Sequence, residues 1–274
     1  MRLQGVRWIV LGVMAAAFAL RADAAGPNEL AARLGAAHGG RAAWEAVPTV
    51  SYDHTLEFDG DEGRHWRSIE VIDRATGHAY HAYPNHDSRL AWNGREVWTR
   101  NWSIGNPPKV MVKLTYNSLI APFLSLVPGA TLEAAPPARI PGEAQDLPTF
   151  VVRFPKDASR PPNAVYYRLY LDPKTSRLRA VEYAVGYGPL LDQMGAPPGT
   201  DQVGPIIHVY DAWAETDGLL VTTRYHTVGP DGALYGKHTV TGWSLRKSFD
   251  ASRLARTPDG VVDTSSDIRA KAGK

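Results

Sequence analysis

Bulky and polar residues alternate with a period of two along most of the chain, which is typical of β-strands with one buried face. Between Val50 and Phe58, the side chains of one face are Tyr52, His54, Leu56 and Phe58, and those of the other are polar. Similar patterns predict strands at Arg64–Asp73, Gly77–Tyr83, Arg89–Trp92, Glu96–Asn101, Thr149–Phe154, Tyr166–Leu171, Leu178–Val185, Ile206–Ala214, Leu219–Val228 and Lys237–Leu245. About ten strands with short connections indicate a strongly curved antiparallel sheet, a sandwich or a barrel.

Two segments have helical spacing instead. The first begins at Pro27 and ends at Gly39-Gly40, because glycine tolerates the left-handed conformation that terminates helices. A further turn is expected over Arg41–Val47.

The second helical segment, residues 109–127, is amphipathic. Its apolar stripe consists of Val112, Tyr116, Leu119, Ile120, Phe123 and Val127, and Lys109, Lys113 and Asn117 lie opposite. Pro122 is expected to kink or split this helix. Such a helix must bury its apolar stripe, and the concave face of the predicted sheet is the expected partner.

The first 24 residues have the layout of a secretory signal peptide. Arg2 and Arg7 precede a 13-residue apolar run, which ends before the small-x-small site Ala22-Asp23-Ala24. The run is too short for an ordinary membrane span. We therefore expect cleavage after Ala24 and a periplasmic protein. The mature chain is expected to form a single domain over residues 25–256, followed by a polar tail over 257–274.

Composition narrows the classes of partner. Removing residues 1–24 leaves 27 basic and 27 acidic residues, so the mature chain has no electrostatic attraction to nucleic acid or to an anionic membrane. The absence of cysteine excludes disulfides, thiolate metal sites and a cysteine nucleophile.

Catalytic motifs are missing from the sequence. It contains no Gly-x-Ser-x-Gly elbow, no His-Glu-x-x-His, no phosphate loop and no dinucleotide fingerprint. His78 and His81 are three residues apart and point to opposite faces of a regular strand, so they cannot share a metal ion there. His54 lies on an otherwise apolar face, where a core histidine bonded to a neighbour is the commoner outcome. We expect no cofactor, no metal and no catalytic residue.

Tryptophans are abundant on or beside the early strands. They suit either core packing or a wide cavity lined by rigid aromatic rings. The second interpretation, combined with the stripe of the central helix, predicts an apolar ligand cavity. Its predicted lining is Trp66, Trp92, Trp98, Val112, Tyr116, Leu119, Ile120 and Phe123.

Three segments resemble a known group of proteins. The stretch Tyr210–Thr223 is similar to the D-W-x-E-x-D-G strand pair of LolA-like lipoprotein-carrier proteins, with Thr222 where that group has proline. Residues 170–175, Y-L-D-P-K-T, resemble the group's strand-turn hairpin, and Ala37–Gly40 with Trp44 resembles the opening of an uncharacterised branch. The resemblance implies an unclosed antiparallel β-barrel covered by helices, which binds acyl chains or similar apolar ligands.

Two functions follow from these observations. The first is a monomeric, non-enzymatic periplasmic carrier or sensor of lipid-like molecules. The alternative is a periplasmic hydrolase or metal-dependent enzyme whose His and Asp residues converge only in the fold. A deep, almost wholly apolar pocket would favour the carrier, and His54 beside a carboxylate in an open cleft would favour the enzyme.

Overall fold

The computed structural model of the protein describes residues 25–61, 63, 65–156 and 161–266. The predicted signal peptide and residues 267–274 of the predicted tail lie outside these ranges. None of the helices described is long and apolar enough to span a membrane.

Thirteen antiparallel strands form one sheet. In chain order they are β1 (Thr49–Phe58), β2 (His65–Asp73), β3 (Ala79–Tyr83), β4 (Ser88–Trp92), β5 (Val97–Arg100), β6 (Thr131–Ala134), β7 (Thr149–Arg153), β8 (Tyr166–Leu171), β9 (Leu178–Val185), β10 (Val203–Thr216), β11 (Leu219–Val228), β12 (Leu234–Ser244) and β13 (Val261–Val262). The spatial order is β13-β5-β4-β3-β2-β1-β12-β11-β10-β9-β8-β7-β6. Because β13 and β6 lie at opposite edges, the sheet is an unclosed barrel, as predicted.

Five α-helices and three 3₁₀ helices accompany the sheet within the described residues. The α-helices are α1 (Pro27–Ala37), α2 (Arg41–Glu45), α3 (Pro108–Met111), α4 (Leu114–Leu119) and α5 (Gly188–Gln193). The 3₁₀ helices are Pro84–His86, Ala121–Leu126 and Ala251–Leu254. The helix stop predicted at Gly39-Gly40 is confirmed, since both glycines have a positive φ immediately after α1.

The predicted helix over residues 109–127 is three short pieces, namely α3, α4 and the 3₁₀ helix Ala121–Leu126. We call residues 108–126 the cover segment. Lys113 takes a non-helical conformation before α4, and Pro122 lies in the first turn of the 3₁₀ helix, where its missing N–H has no consequence. Asn117, predicted on the polar side, is 5% exposed, and its amide donates to the Tyr167 hydroxyl at 2.7 Å.

The main core lies between the concave face of the sheet, the cover segment and α1. A smaller cluster lies on the outer face, where Ile140 and Leu147 pack on strands β8 to β11. The Pro-rich stretches at 134–148 and 186–205 also contribute to packing, and the second of them contains α5. Part of the predicted polar tail also adds β13 to the sheet edge beside β5.

Candidate functional site

The cover segment lies on the concave face of the sheet through its apolar side chains. Val112, Leu119, Ile120 and Phe123 are at most 3% exposed and belong to the main core. Tyr116 is half-buried against the same core. The predicted stripe is thus buried against the sheet, although it is carried by three short helices instead of one.

Phe123 joins the cover segment to α2. Its ring stacks on Trp44, with ring centroids 4.6 Å apart and an interplanar angle of 4°. It also meets the edge of the His38 ring at 6.5 Å. These contacts hold the end of the cover segment against the helical start of the chain.

The imidazole of His38 fastens the end of α1 to two strands. Its Nε2 accepts a hydrogen bond from the Leu178 N–H at 3.1 Å, so its proton lies on Nδ1, which donates to the Leu220 carbonyl at 3.0 Å. Burial lowers the pKa of His38 from 6.5 to about 4. The side chain is therefore a neutral structural link at physiological pH.

The predicted tryptophans are divided between the two faces of the sheet. Trp92 is buried in the main core. Trp66 is partly buried, packs against the main core and contacts the Phe58 ring. Trp98 lies in a separate cluster with Ala91 and Leu254, where its indole N–H donates to the Leu254 carbonyl at 2.9 Å. The structure therefore brings seven of the eight predicted cavity residues to the main core and places Trp98 elsewhere.

The interior of the half-barrel is filled in this closed form. A cleft remains between the cover segment and strands β8 and β9; its lining includes Val110, Lys113, Leu114, Tyr167, Tyr183 and Val185. Its volume is about 10 Å³, which is about the minimum for one water molecule. A ligand as large as an acyl chain can enter only if the cover segment moves.

A larger groove of about 840 Å³ lies at the turn between β1 and β2. It is lined mostly by polar and charged side chains, including Glu57, Asp59, Arg67 and Lys237. Among the described residues that line this groove, Phe58 alone has an apolar side chain.

A band of polar side chains crosses the concave face of the sheet. We define the polar band as His54, Tyr183, His208, Tyr225, Thr227 and His238. Each of these side chains is at most 8% exposed. Sequence analysis placed His54 on this face but did not identify the band, since its members come from five strands.

A hydrogen bond connects two histidines of the polar band, His54 and His238, and the third, His208, bonds to Tyr183. The Nδ1 atom of His238 is 2.9 Å from Nε2 of His54, and its Nε2 is 2.7 Å from the Thr227 hydroxyl. Burial lowers the pKa of His54 and His238, and it lowers that of His208 to about 3. The three imidazoles are therefore neutral at physiological pH.

A second polar group lies beside the band on strands β1 to β3. The Glu70 carboxyl accepts hydrogen bonds from the hydroxyls of Tyr52, at 2.6 Å, and Ser68, at 2.8 Å. His81 lies 3.7 Å from Glu70 and is fully buried, and burial lowers its pKa. The two ring nitrogens of His81 and the hydroxyl of Tyr83 have no hydrogen-bond partner.

His54 does not have the surroundings that would favour an enzyme. His54 lies beside His238 and Tyr225 instead of a carboxylate, and it is buried instead of facing an open cleft. Among the residues that the structure describes, no group of three or more His, Asp or Glu side chains is placed to hold a metal ion.

No protein-family model matches this sequence, and no curated protein matches it. Solved structures do share its architecture. A DUF1329 family protein from Desulfovibrio piger has a TM-score of 0.51 at 8% identity and covers 84% of this chain and 98% of its own. A LolA superfamily protein from Nitrosomonas europaea has a TM-score of 0.51 at 10% identity and covers 85% of this chain and 99% of its own. The unclosed sheet, with helices on its concave face, is a LolA-like fold.

Proposed function

We propose that this protein is a non-enzymatic periplasmic carrier or sensor, which binds lipid-like apolar ligands on the concave face of its sheet. The observation that carries this proposal is the cover segment. It consists of three short helices whose apolar side chains cover the concave face of the sheet. A closed barrel would have no such open face to cover. An acyl chain can take the place of those side chains.

Four buried side chains of the cover segment and a twelve-carbon lipid chain have comparable free energies of burial. Val112, Leu119, Ile120 and Phe123 are almost fully buried, and at about 2 kcal/mol each their burial contributes about 8 kcal/mol. A twelve-carbon chain offers about 10 kcal/mol, at about 0.8 kcal/mol per methylene. A twelve-carbon chain can therefore replace these four side chains on nearly equal terms, and the cover segment also buries Val110, Met111 and Leu124.

The cover segment is also locally weak. Its pieces are four and six residues of α-helix and six of 3₁₀ helix. Helices this short do not persist without tertiary contacts, because nucleation is unfavourable. Once a ligand replaces those contacts, the cover segment is free to move aside.

We propose that the ligand contacts the seven predicted residues that lie at the main core. They are Trp66, Trp92, Val112, Tyr116, Leu119, Ile120 and Phe123. Trp98 is left out of the proposed site, because it faces the other side of the sheet.

The proposed periplasmic location rests on the signal-peptide pattern and agrees with a carrier of lipid-like molecules. The mature protein should begin at Ala25-Gly26-Pro27. N-terminal sequencing of the exported protein tests this, and an intact Met1 would contradict it.

Binding is tested by titration with Nile red, an uncharged apolar dye, combined with native mass spectrometry of protein purified from its own periplasm. We expect saturable binding with one dye per protein and a co-purifying lipid-like molecule. Leu114→Trp should fill the cleft and weaken dye binding, whereas Leu126→Trp, the same change elsewhere on the cover segment, should not. An absence of saturable binding to the folded protein would contradict the proposed function.

A further inference from the structure

The polar band is unexpected in a surface that binds only hydrocarbon. Six hydrogen-bonding side chains from β1, β9, β10, β11 and β12 face the interior, and the three imidazoles among them are 5 to 7% exposed. Burying a polar group in an apolar interior is unfavourable unless that group is hydrogen-bonded. The band therefore requires partners, and the closed form supplies only some of them.

His208 is the member whose hydrogen bonding is incomplete. Its Nε2 is 3.1 Å from the Tyr183 hydroxyl, but its Nδ1 is buried without a partner. Leaving a buried hydrogen-bonding atom unpaired is unfavourable, because the atom has lost its bond to water. The closed form thus holds one buried nitrogen ready to bond an incoming group.

The position of this nitrogen is suited to a ligand. Tyr183 belongs both to the polar band and to the cleft beneath the cover segment. The His208 ring packs within 5.1 Å of the Tyr183 ring and 5.0 Å of the Tyr225 ring. A molecule that widens the cleft over Tyr183 would next meet His208.

The surroundings of the band disfavour a charged group. No lysine or arginine is buried among the described residues, so a carboxylate or a phosphate bound at the polar band itself would meet no buried cation; Lys113 lies at the outer end of the cleft. The negative charge of Glu70 acts on His54 from the neighbouring strand. Burial already keeps the three histidines neutral by lowering their pKa.

A hydroxyl group suits His208 in either tautomer. If the Tyr183 hydroxyl donates to Nε2, the proton of His208 lies on Nδ1 and can be donated to a ligand oxygen. If Nε2 donates to Tyr183, Nδ1 accepts from a ligand hydroxyl. A carboxylate can serve only as an acceptor and carries an unneutralised charge.

We propose that the polar band is a subsite for an uncharged hydroxyl group, so that the ligand is a neutral long-chain lipid, an alcohol or a monoacylglycerol, instead of a fatty acid or a phospholipid. The hydroxyl bonds to Nδ1 of His208, and the chain lies along the surface that the cover segment occupies in the closed form. This inference rests on the proposed function, because it requires the chain to bind beneath the cover segment.

The test measures displacement of Nile red at pH 7.5 by three twelve-carbon compounds that differ in one end group: dodecan-1-ol, dodecanoate and dodecyltrimethylammonium. We expect dodecan-1-ol to bind at least about tenfold more tightly than either ion, because the carboxylate would be buried at the band without a neutralising partner and the trimethylammonium group cannot hydrogen-bond to Nδ1 of His208. Equal or tighter binding of dodecanoate or of the ammonium compound would overturn the subsite. If Nile red itself does not bind, the proposed function fails instead.

Variants locate the selectivity. His208→Phe keeps an aromatic ring between Tyr183 and Tyr225 and removes both ring nitrogens, so it should weaken dodecan-1-ol about fivefold, as expected for one lost hydrogen bond. His226→Phe is the matched control, since His226 pairs with Asp211 away from the polar band and is half-exposed. Unchanged selectivity in a folded His208→Phe protein would contradict the inference.

A measurement on the unaltered protein does not depend on the variant folding. A dodecan-1-ol analogue with a diazirine next to the hydroxyl is photolysed on the protein, and the labelled peptides are identified by mass spectrometry. Labelling of strands β9 to β11 around Tyr183, His208 and Tyr225 supports the subsite. Labelling confined to the outer end of the cleft, at Lys113 and Pro162, would overturn it.

Discussion

Phe123→Ala tests how the cover segment is held on the sheet. The Phe123 ring is 3% exposed and stacks on Trp44, which is 4% exposed. Removing a buried phenylalanine ring costs about 3–5 kcal/mol, and an aromatic pair contributes about 0.5–1.5 kcal/mol beyond its buried area. We expect the variant to lose about 4 kcal/mol of unfolding free energy, which lowers Tm by about 12 °C for a domain of this size.

The same substitution should affect ligand binding much less. A ligand must displace Phe123 from the concave face, so a weaker contact there makes the bound form easier to reach. We expect the binding free energy of Nile red to fall by far less than the unfolding free energy, or to become more favourable.

Thermal melts by circular dichroism and Nile red titrations measure both quantities on the same samples. Met194→Ala is the control, because Met194 is 60% exposed and its truncation should change stability by less than about 0.5 kcal/mol. A Tm within about 2 °C of the wild type would refute the packing described for Phe123. Affinity that falls in step with stability would refute the competition between the ring and the ligand.

Three further experiments test separate parts of the structure. Gly39→Ala should lower the unfolding free energy by more than about 2 kcal/mol in urea melts, because φ is +107° and the added Cβ would clash with a carbonyl oxygen of the β10–β11 turn. Gly35→Ala is its control in α1: the added Cβ would meet nothing within 4 Å, and the unfolding free energy should rise by about 0.5–1 kcal/mol. The unfolding free energy should fall as pH decreases from 7.5 to 5.0. The pKa of His38 is about 4 in the folded protein and 6.5 when unfolded, so the unfolded chain binds the proton first. His38→Gln should reduce this loss of unfolding free energy by about 2 kcal/mol. Tyr210→Phe removes the hydrogen bond from the sheet to the Ser118 carbonyl and should cost about 1 kcal/mol and speed amide exchange in α4.

Alternation along the chain was sufficient to predict most of the sheet. Tyr166–Leu171, Leu178–Val185 and Leu219–Val228 are strands over the predicted residues. β6 and β13 were missed, because strands of four and two residues with mostly exposed side chains carry too little periodic signal. Their place at the sheet edges is the reason that they need no buried face.

The cover segment shows where helical periodicity is insufficient. Its apolar positions were predicted correctly, since burial against the sheet selects them whatever the exact helical geometry. The break beside Pro122 was predicted from the sequence, whereas the break at Lys113 and the burial of Asn117 against the Tyr167 hydroxyl depend on the tertiary structure. A pattern in one segment cannot reveal a partner 50 residues away.

The polar band was missed for a similar reason. His54 and His238 are 184 residues apart and meet only because β1 and β12 are neighbours in the sheet. One signal was available in the sequence. Hydrogen-bonding side chains occupy successive inward positions of two strands, namely His208 and Tyr210 in β10 and Tyr225 and Thr227 in β11.

Amide hydrogen exchange with and without saturating Nile red tests most directly whether the cover segment and the ligand compete for the concave face. The account predicts that residues 114–126 exchange faster when the dye is bound, while strands β9 to β11 exchange as slowly as before or more slowly. Ordinary ligand stabilisation would slow exchange in both regions, so the opposite responses are diagnostic. Slower or unchanged exchange in the cover segment of a dye-saturated protein would contradict the account.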